Sequence, residues 1–185
     1  MAKNFEDTAD IELYLMLQGT KKISERAFAE LYKRHSARIF AYCRKMLGNY
    51  EEARDAFQET FIKFHESSAK PREMTNVIGY LYRIARNVCL NYLRNKKTSV
   101  TQLEDYMAVS SDNAKESELI EWVNAALAQL PPEFRECFVL REYEGFTYAE
   151  IAEMIGESLS TVKVRIFRAR QKIREILQPH ITDLA

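Results

Sequence analysis

From Phe28 onward, apolar and aromatic side chains with one histidine recur at three- and four-residue steps: Phe28, Leu31, Tyr32, His35, Ile39, Tyr42, Cys43 and Met46. That spacing is one face of an α-helix. Gly48-Asn49 ends it, and Asn49 with Glu52 predicts a capped start for a second helix over about Tyr50 to Ser67. A polar stretch containing Pro71 follows, then a long helix from about Asn76 to Asn95. Its core stripe is Leu81, Ile84, Ala85, Val88 and Tyr92, with Arg83, Asn87 and Arg94 opposite and Arg86 and Asn91 at the margins. Periodicity then fails between Thr98 and about Asn113, a polar, Ser- and Thr-containing segment that reads as a flexible linker.

Helical register returns near Ala114, with Leu119, Val123, Ala126, Leu127 and Leu130 in phase. Pro131-Pro132 breaks it, and Pro132 suits the first turn of a helix that continues through Phe134, Cys137, Phe138 and Leu140 towards Gly145. Thr147 and Glu150 predict a capping box for a short helix ending near Ile155, with a turn at Gly156. Ser160 is the expected cap of a last helix, which should stop near Leu177 before Pro179. The expected fold is therefore all-α: two separately folded helical domains, residues 1–97 and 114–185, joined by a linker over 98–113.

Composition agrees with helices, since 185 residues include only 5 Gly and 4 Pro, too few for the tight turns of a strand-rich fold. The net charge is zero, but its distribution is uneven. Residues 1–97 hold 18 basic and 12 acidic side chains, whereas 98–130 hold one basic and six acidic. Lys163, Arg165, Arg168, Arg170, Lys172 and Arg174 fall in one stretch without any acid. A local field of that kind suits a polyanion even when the total is zero.

The three cysteines, Cys43, Cys89 and Cys137, are far apart and make no metal-ligand spacing, so zinc and a disulfide framework are not expected. No signal-peptide core or membrane-length apolar run occurs, which predicts a cytoplasmic protein without direct membrane insertion. His35, His65 and His180 have no triad or ligand spacing, and no Gly-rich phosphate loop is present. No enzymatic activity, metal or cofactor is expected, and His35 reads as a structural histidine on a core stripe.

A short helix, a Gly turn and a longer basic helix describe a helix-turn-helix. Ala152 sits where the two helices must approach closely. In the second helix, Val162, Ile166, Ala169 and Ile173 share one face; Val164, Phe167, Arg168 and Gln171 point away, flanked by Lys163 and Arg174. A basic helix alone is usually a solvated amphipathic face. An apolar Phe167 among cations instead calls for a cover, and base edges with phosphates supply one.

The blocks AFAELYKRHSARIF, EARDAFQETFIKFH and YLYRIARNVCLNYLR, then LPPEFRECFVLREYEGFTYAEIAEMIG and STVKVRIFRARQKI, resemble the extracytoplasmic-function sigma factors of bacteria. The resemblance spans nearly the whole chain and implies a protein that recruits core RNA polymerase to promoters. It implies that Asp55, Gln58, Glu59 and Phe61 bind the clamp of the polymerase β′ subunit. It places the minus-ten element at Lys70, Arg72 and Asn76 in the polar loop and at Arg83, Asn87 and Asn91 on the following helix. It gives the minus-thirty-five element to Thr161, Lys163, Val164, Phe167 and Arg168. The polymerase β flap and an anti-sigma protein, often membrane-anchored, are the further partners it implies.

Three departures bear on promoter choice. Tyr80 stands where the family often has Trp, and Val164 where Ser is common. Glu157 takes a commonly apolar turn position, where Leu159 is expected to supply the packing. Tyr82 fits both core and loop. Two rival classes remain: a helix-turn-helix regulator that binds DNA alone as a dimer, and an enzyme.

Overall fold

A computed structural model describes residues 5–68, 73–98 and 114–182; side chains 96–98, 114–118 and 180–182 lie outside the description. The described residues are helical throughout, with no strand among them. After a 3-10 turn at Phe5–Asp7 come α1 (Asp10–Met16), α2 (Lys21–Leu47), α3 (Tyr50–Ser68) and α4 (Val77–Thr98). The second half holds α5 (Ala114–Ala128), α6 (Pro132–Glu142), α7 (Tyr148–Ile155) and α8 (Leu159–Thr182).

The N-terminal half is built on α2, which packs against α1, α3 and α4. Most of the predicted stripe is its buried face, with Leu31, His35, Ile39, Tyr42, Cys43 and Met46 inside, whereas Phe28 is half-buried and Tyr32 is exposed at the edge of the stripe. The helix begins earlier than the stripe suggests, at Lys21, and α1 precedes it. Arg34 pins this leading segment down: it donates to the carbonyls of Phe5, Glu6 and Thr8 at 2.8–3.0 Å and pairs with Asp10 and Glu30, both at 2.8 Å. His35 Nε2 meets Asp10 Oδ2 at 2.7 Å, so the histidine is structural as expected. A planar five-donor guanidinium organising carbonyls leaves no periodic trace in sequence, which is why α1 was not foreseen.

The caps mostly follow the local chemistry. The Glu52 amide donates to Asn49 Oδ1 at 3.0 Å. Thr147 and Glu150 exchange bonds at 2.8 Å and 3.2 Å in a full capping box. Two details differ. Ser158, not Ser160, caps α8 by accepting from the Thr161 amide at 3.1 Å. The last helix also runs through Pro179 to Thr182, because near a helix end the ring removes only one backbone bond.

The C-terminal half closes around α8, which packs on α5, α6 and α7. Val162, Ile166, Ala169 and Ile173 are buried against Ile151, Met154 and Ile155, so the predicted core face holds. Gly156 adopts a left-handed conformation at φ 72°, ending α7 and permitting the tight turn. Leu159 is exposed rather than packed, and Glu157 instead meets Arg165 at 2.8 Å. The turn thus dispenses with its usual apolar plug by using an ion pair across it.

The two halves also touch each other. Contacts run from α2 to α5 and α6, and from α4 to α6 and α7. Periodicity predicted the two helical groups but not this docking, since core stripes say nothing about which polar residues will meet across them.

Candidate functional site

Three polar surfaces carry the predicted residues. On α3, Asp55 and Gln58 are exposed and Glu59 is half-buried. Glu59 pairs with Lys63 at 2.7 Å, the local (i, i+4) pair of an exposed helix. Phe61 is only 4% exposed, so it lies under this surface rather than on it. It stacks edge-on with Phe28, Tyr32 and Phe57 at centroid distances of 4.8–6.2 Å. Beside Gln58 this aromatic cluster opens into a groove of about 470 Å³ that also includes Ile62 and His65. Tyr32 and Ile62 are the functional candidates missing from the sequence reading, and both are exposed. A signal existed: Ile62 follows Gln58 by four residues and so extends the same helical face.

On α4, Arg83, Asn87 and Asn91 are exposed and four residues apart, forming one continuous polar strip. Asn91 accepts a bond from Arg94 at 2.5 Å. Asn76 precedes the helix and caps it, its Oδ1 accepting from the Gly79 amide at 2.8 Å. A Cβ at position 79 would approach Asn76 Nδ2 to 2.9 Å, so glycine there leaves the carboxamide its place. Lys70 and Arg72 lie outside the described residues, as do Glu104, Asp105 and Asp112 of the predicted linker, and the side chain of His180 lies outside the description. Tyr82 is decided by the structure: it is core, edge-on between Tyr42 at 5.3 Å and Phe146 at 5.1 Å. Its hydroxyl donates to Glu144, and burial with that carboxylate raises its pKa strongly. Tyr80 is half-buried, its ring 6.2 Å from that of Phe64.

Arg86, at the margin of this strip, turns inward to Glu136 of α6. Glu136 is 1% exposed, and burial lifts its carboxyl above the ordinary value even though Arg86 pulls it down. The neighbouring Cys137 thiol is pushed up to about 11 by burial, and all three cysteines are buried and free. A thiol buried away from solvent is out of reach of oxidants and electrophiles, so these cysteines act as small packing groups.

On α8, Phe167 is 68% exposed and Val164 48% exposed. Lys163 and Arg168 are exposed beside them. Thr161 is half-buried, its hydroxyl 2.8 Å from Ser158 Oγ. The basic stretch divides by partner. Arg165 pairs with Glu157 at 2.8 Å, Arg170 with Glu142 at 2.5 Å and Lys172 with Glu175 at 3.5 Å. Lys163 and Arg168 have no such partner among the described residues. Arg174 has none among them either, so three cations are left over, and Lys163 and Arg168 are the two beside the exposed phenyl ring. An apolar ring between two uncompensated cations can cover a base edge while the cations take phosphates.

Among the described residues no group of His, Cys, Asp or Glu is placed to hold a metal ion. Among the described residues, too, no helix is long and apolar enough to cross a membrane.

Residues 31–98 match the family described as sigma-70 region 2, and residues 120–173 match sigma-70, region 4. The chain is similar to the ECF RNA polymerase sigma factor SigE of Mycolicibacterium smegmatis, with 35% identity over 164 residues. That match takes in 84% of this chain and 63% of the longer relative. It is also similar to the RNA polymerase sigma-H factor of Pseudomonas aeruginosa, 30% identical over 183 residues, covering 91% of this chain and 95% of that one. Among solved structures, the sigma factor RpoE in complex with the anti-sigma factor NepR from Bartonella quintana matches with a TM-score of 0.71 at 22% identity. It covers 82% of this chain and 96% of that one. CnrH, in complex with the cytosolic domain of CnrY, matches with a TM-score of 0.72 at 24% identity, over 93% and 99% of the two chains. The two structures share the fold.

Proposed function

The chain belongs to the extracytoplasmic-function sigma factors, and on that premise we propose how its surfaces divide the work of promoter recognition. The family acts in transcription initiation and is not catalytic, which sets aside the enzyme reading.

Residues 114–185 take the minus-thirty-five element, with Phe167 and Val164 against base edges, Lys163 and Arg168 on phosphates, and Thr161 at the helix entry. The observation that carries this is the exposed Phe167 between two cations that no carboxylate among the described residues neutralises. Residues 1–97 take the polymerase and the minus-ten element. Asp55, Gln58 and Glu59 present polar contacts to the β′ clamp, with Phe61 shaping the aromatic floor beneath them. Arg83, Asn87 and Asn91 line the path of the minus-ten strand, which Asn76, Lys70 and Arg72 would meet first. An extruded base needs stacking partners and polar edges, and unstacking costs a few kcal/mol. Residues 98–113 connect the two domains, and the β flap receives the C-terminal one. RpoE was solved with an anti-sigma factor. A protein of that class is the proposed inhibitor here, competing for polymerase-binding surfaces. The site of action is the cytoplasm, where polymerase works.

In vitro transcription with purified core polymerase on a genomic fragment library tests the reading. New start sites that appear only with this chain, and vanish in an Asp55→Ala/Gln58→Ala variant that still folds, are the expected result. Tight specific DNA binding by the chain alone, without new starts, would put it with dimeric regulators instead.

A further inference from the structure

Helix α8 turns one apolar face to the core and carries a second, smaller one at the opposite pole. At about 100° per residue, Val164 stands nearly opposite the centre of the buried stripe Val162, Ile166, Ala169 and Ile173. Around the exposed side the order is Lys163, Phe167, Val164, Arg168. Val164 and Phe167 are three residues apart, which puts their Cβ atoms about 5–6 Å from each other. The pair forms a narrow apolar slot with a cation on each rim.

Nothing in the fold calls for valine at that pole. Val164 is 48% exposed and stands outside the buried core, and a β-branched residue is a poorer helix former than alanine. The polar groups nearest to it are engaged elsewhere. Ser158 Oγ lies 2.8 Å from both Ser160 Oγ and Thr161 Oγ1 and accepts from the Thr161 amide at 3.1 Å, so the hydroxyls at the helix entry hold the cap together. Arg165 is held by Glu157 at 2.8 Å. Gln171, the next polar side chain on the exposed face, stands one turn beyond Phe167. The outermost contact that the start of α8 offers is therefore apolar.

In the major groove only thymine presents an apolar group, its C5-methyl; the other bases present amino donors and ring or carbonyl acceptors. A valine pressed on one of those polar edges strips its water and leaves it without a partner, which is unfavourable. We propose that Val164 is a specificity-determining residue of the minus-thirty-five contact. Its isopropyl group, with the Phe167 ring beside it, covers the C5-methyl of one thymine, so promoters used by this chain carry an A·T pair of fixed strand orientation at that position. This choice of base rests on the assignment of α8 to minus-thirty-five DNA given above.

The test uses the full chain bound to core polymerase and a promoter recovered by transcription. Each thymine of its minus-thirty-five element, on either strand, is replaced in turn by deoxyuridine, which removes only the C5-methyl and keeps the base pairing. One position should lose about fourfold in holoenzyme affinity, the worth of one buried methyl group. A methyl contact releases no counterions, so that factor should be the same at low and high salt. Val164→Ala, which keeps the helix, should abolish the difference between thymine and deoxyuridine there. Val164→Thr keeps the shape but puts a hydroxyl in the slot, and should let a G·C pair replace the A·T pair at a smaller loss. An element with no deoxyuridine-sensitive position, or without any A·T pair, overturns the proposal, and so does the same sensitivity in Val164→Ala. Failure of the underlying assignment reads differently: Lys163→Ala and Phe167→Ala would then also leave binding to the element intact, and the proposal would fall with it.

Discussion

Helices α4 and α8 both set an arginine-rich polar strip opposite an apolar stripe, yet their cations have met different fates. On α8 the cations next to Phe167 find no carboxylate among the described residues, and the ring stays 68% exposed. On α4 the marginal Arg86 is absorbed by Glu136 of the other half, and the end of the strip near Arg83 faces Glu150 and Glu153. An exposed apolar ring among free cations points to a partner outside the chain. A cation taken up by a buried carboxylate points to one inside it. The same sequence pattern, basic and amphipathic, therefore supports two different conclusions, and only the positions of the acids separate them.

Four substitutions sharpen or break that contrast. The largest effect belongs to Arg135→Met. Its guanidinium supplies the carbonyls of Met46, Ala128 and Leu130 at 2.5, 2.7 and 3.2 Å, largely out of water. Orphaning buried acceptors should cost about 3 kcal/mol, read as a lowered midpoint in urea unfolding. A midpoint equal to the parent's would mean that the contact between the two halves contributes nothing to the fold. Phe167→Ala comes next and should do the opposite: no loss of stability, but roughly tenfold weaker binding to the minus-thirty-five element, concentrated at one or two base positions. Equal loss on all sequences would reassign the ring to packing.

Lys163→Ala should act more weakly and without sequence preference, flattening the salt dependence of DNA binding by about one unit of slope. The smallest change is expected at Thr147→Ala, where loss of the cap should cost about 1 kcal/mol of stability. It carries a pH signature. Thr147 backbone and side-chain bonds hold the Glu150 carboxyl below its ordinary value of 4.5. A depressed carboxyl contributes stability that is present above the ordinary value and lost as pH falls through the folded one. The parent should lose that increment in acid below about pH 4.5, and Thr147→Ala, which keeps the backbone bond to Glu150 and loses only the hydroxyl one, should lose less of it. Parallel acid unfolding curves would show that the capping bond has no energetic weight.

Much of the chemistry was legible locally. The capping box at Thr147, the left-handed Gly156 and the buried face of α8 follow from residues within one or two turns of each other. The strip Arg83, Asn87 and Asn91 was equally local, since four-residue spacing alone puts it on one face. Other features were not. Phe61 reads as a surface contact by its place beside Gln58 and Glu59, yet α2 brings Phe28 and Tyr32 over it. Tyr82 was ambiguous because its neighbours are Tyr42 and Phe146, forty and sixty-four positions away. The cap of α8 slipped by two residues because two serines flank one helix start, and only the backbone path chooses between them.

The sequence by itself determined an all-helical chain with a helix-turn-helix and two polar strips, because helix periodicity, caps and glycine turns are short-range properties of adjacent residues. Only the tertiary structure decided which charges remain free for a partner. Arg86 and Arg168 are alike as letters, but pairing depends on carboxylates that the fold delivers from far along the chain: Glu136 reaches Arg86 across fifty positions, and none of the described acids pairs with Arg168. Coulombic and desolvation energies depend on distance in space, and a linear pattern does not contain that distance.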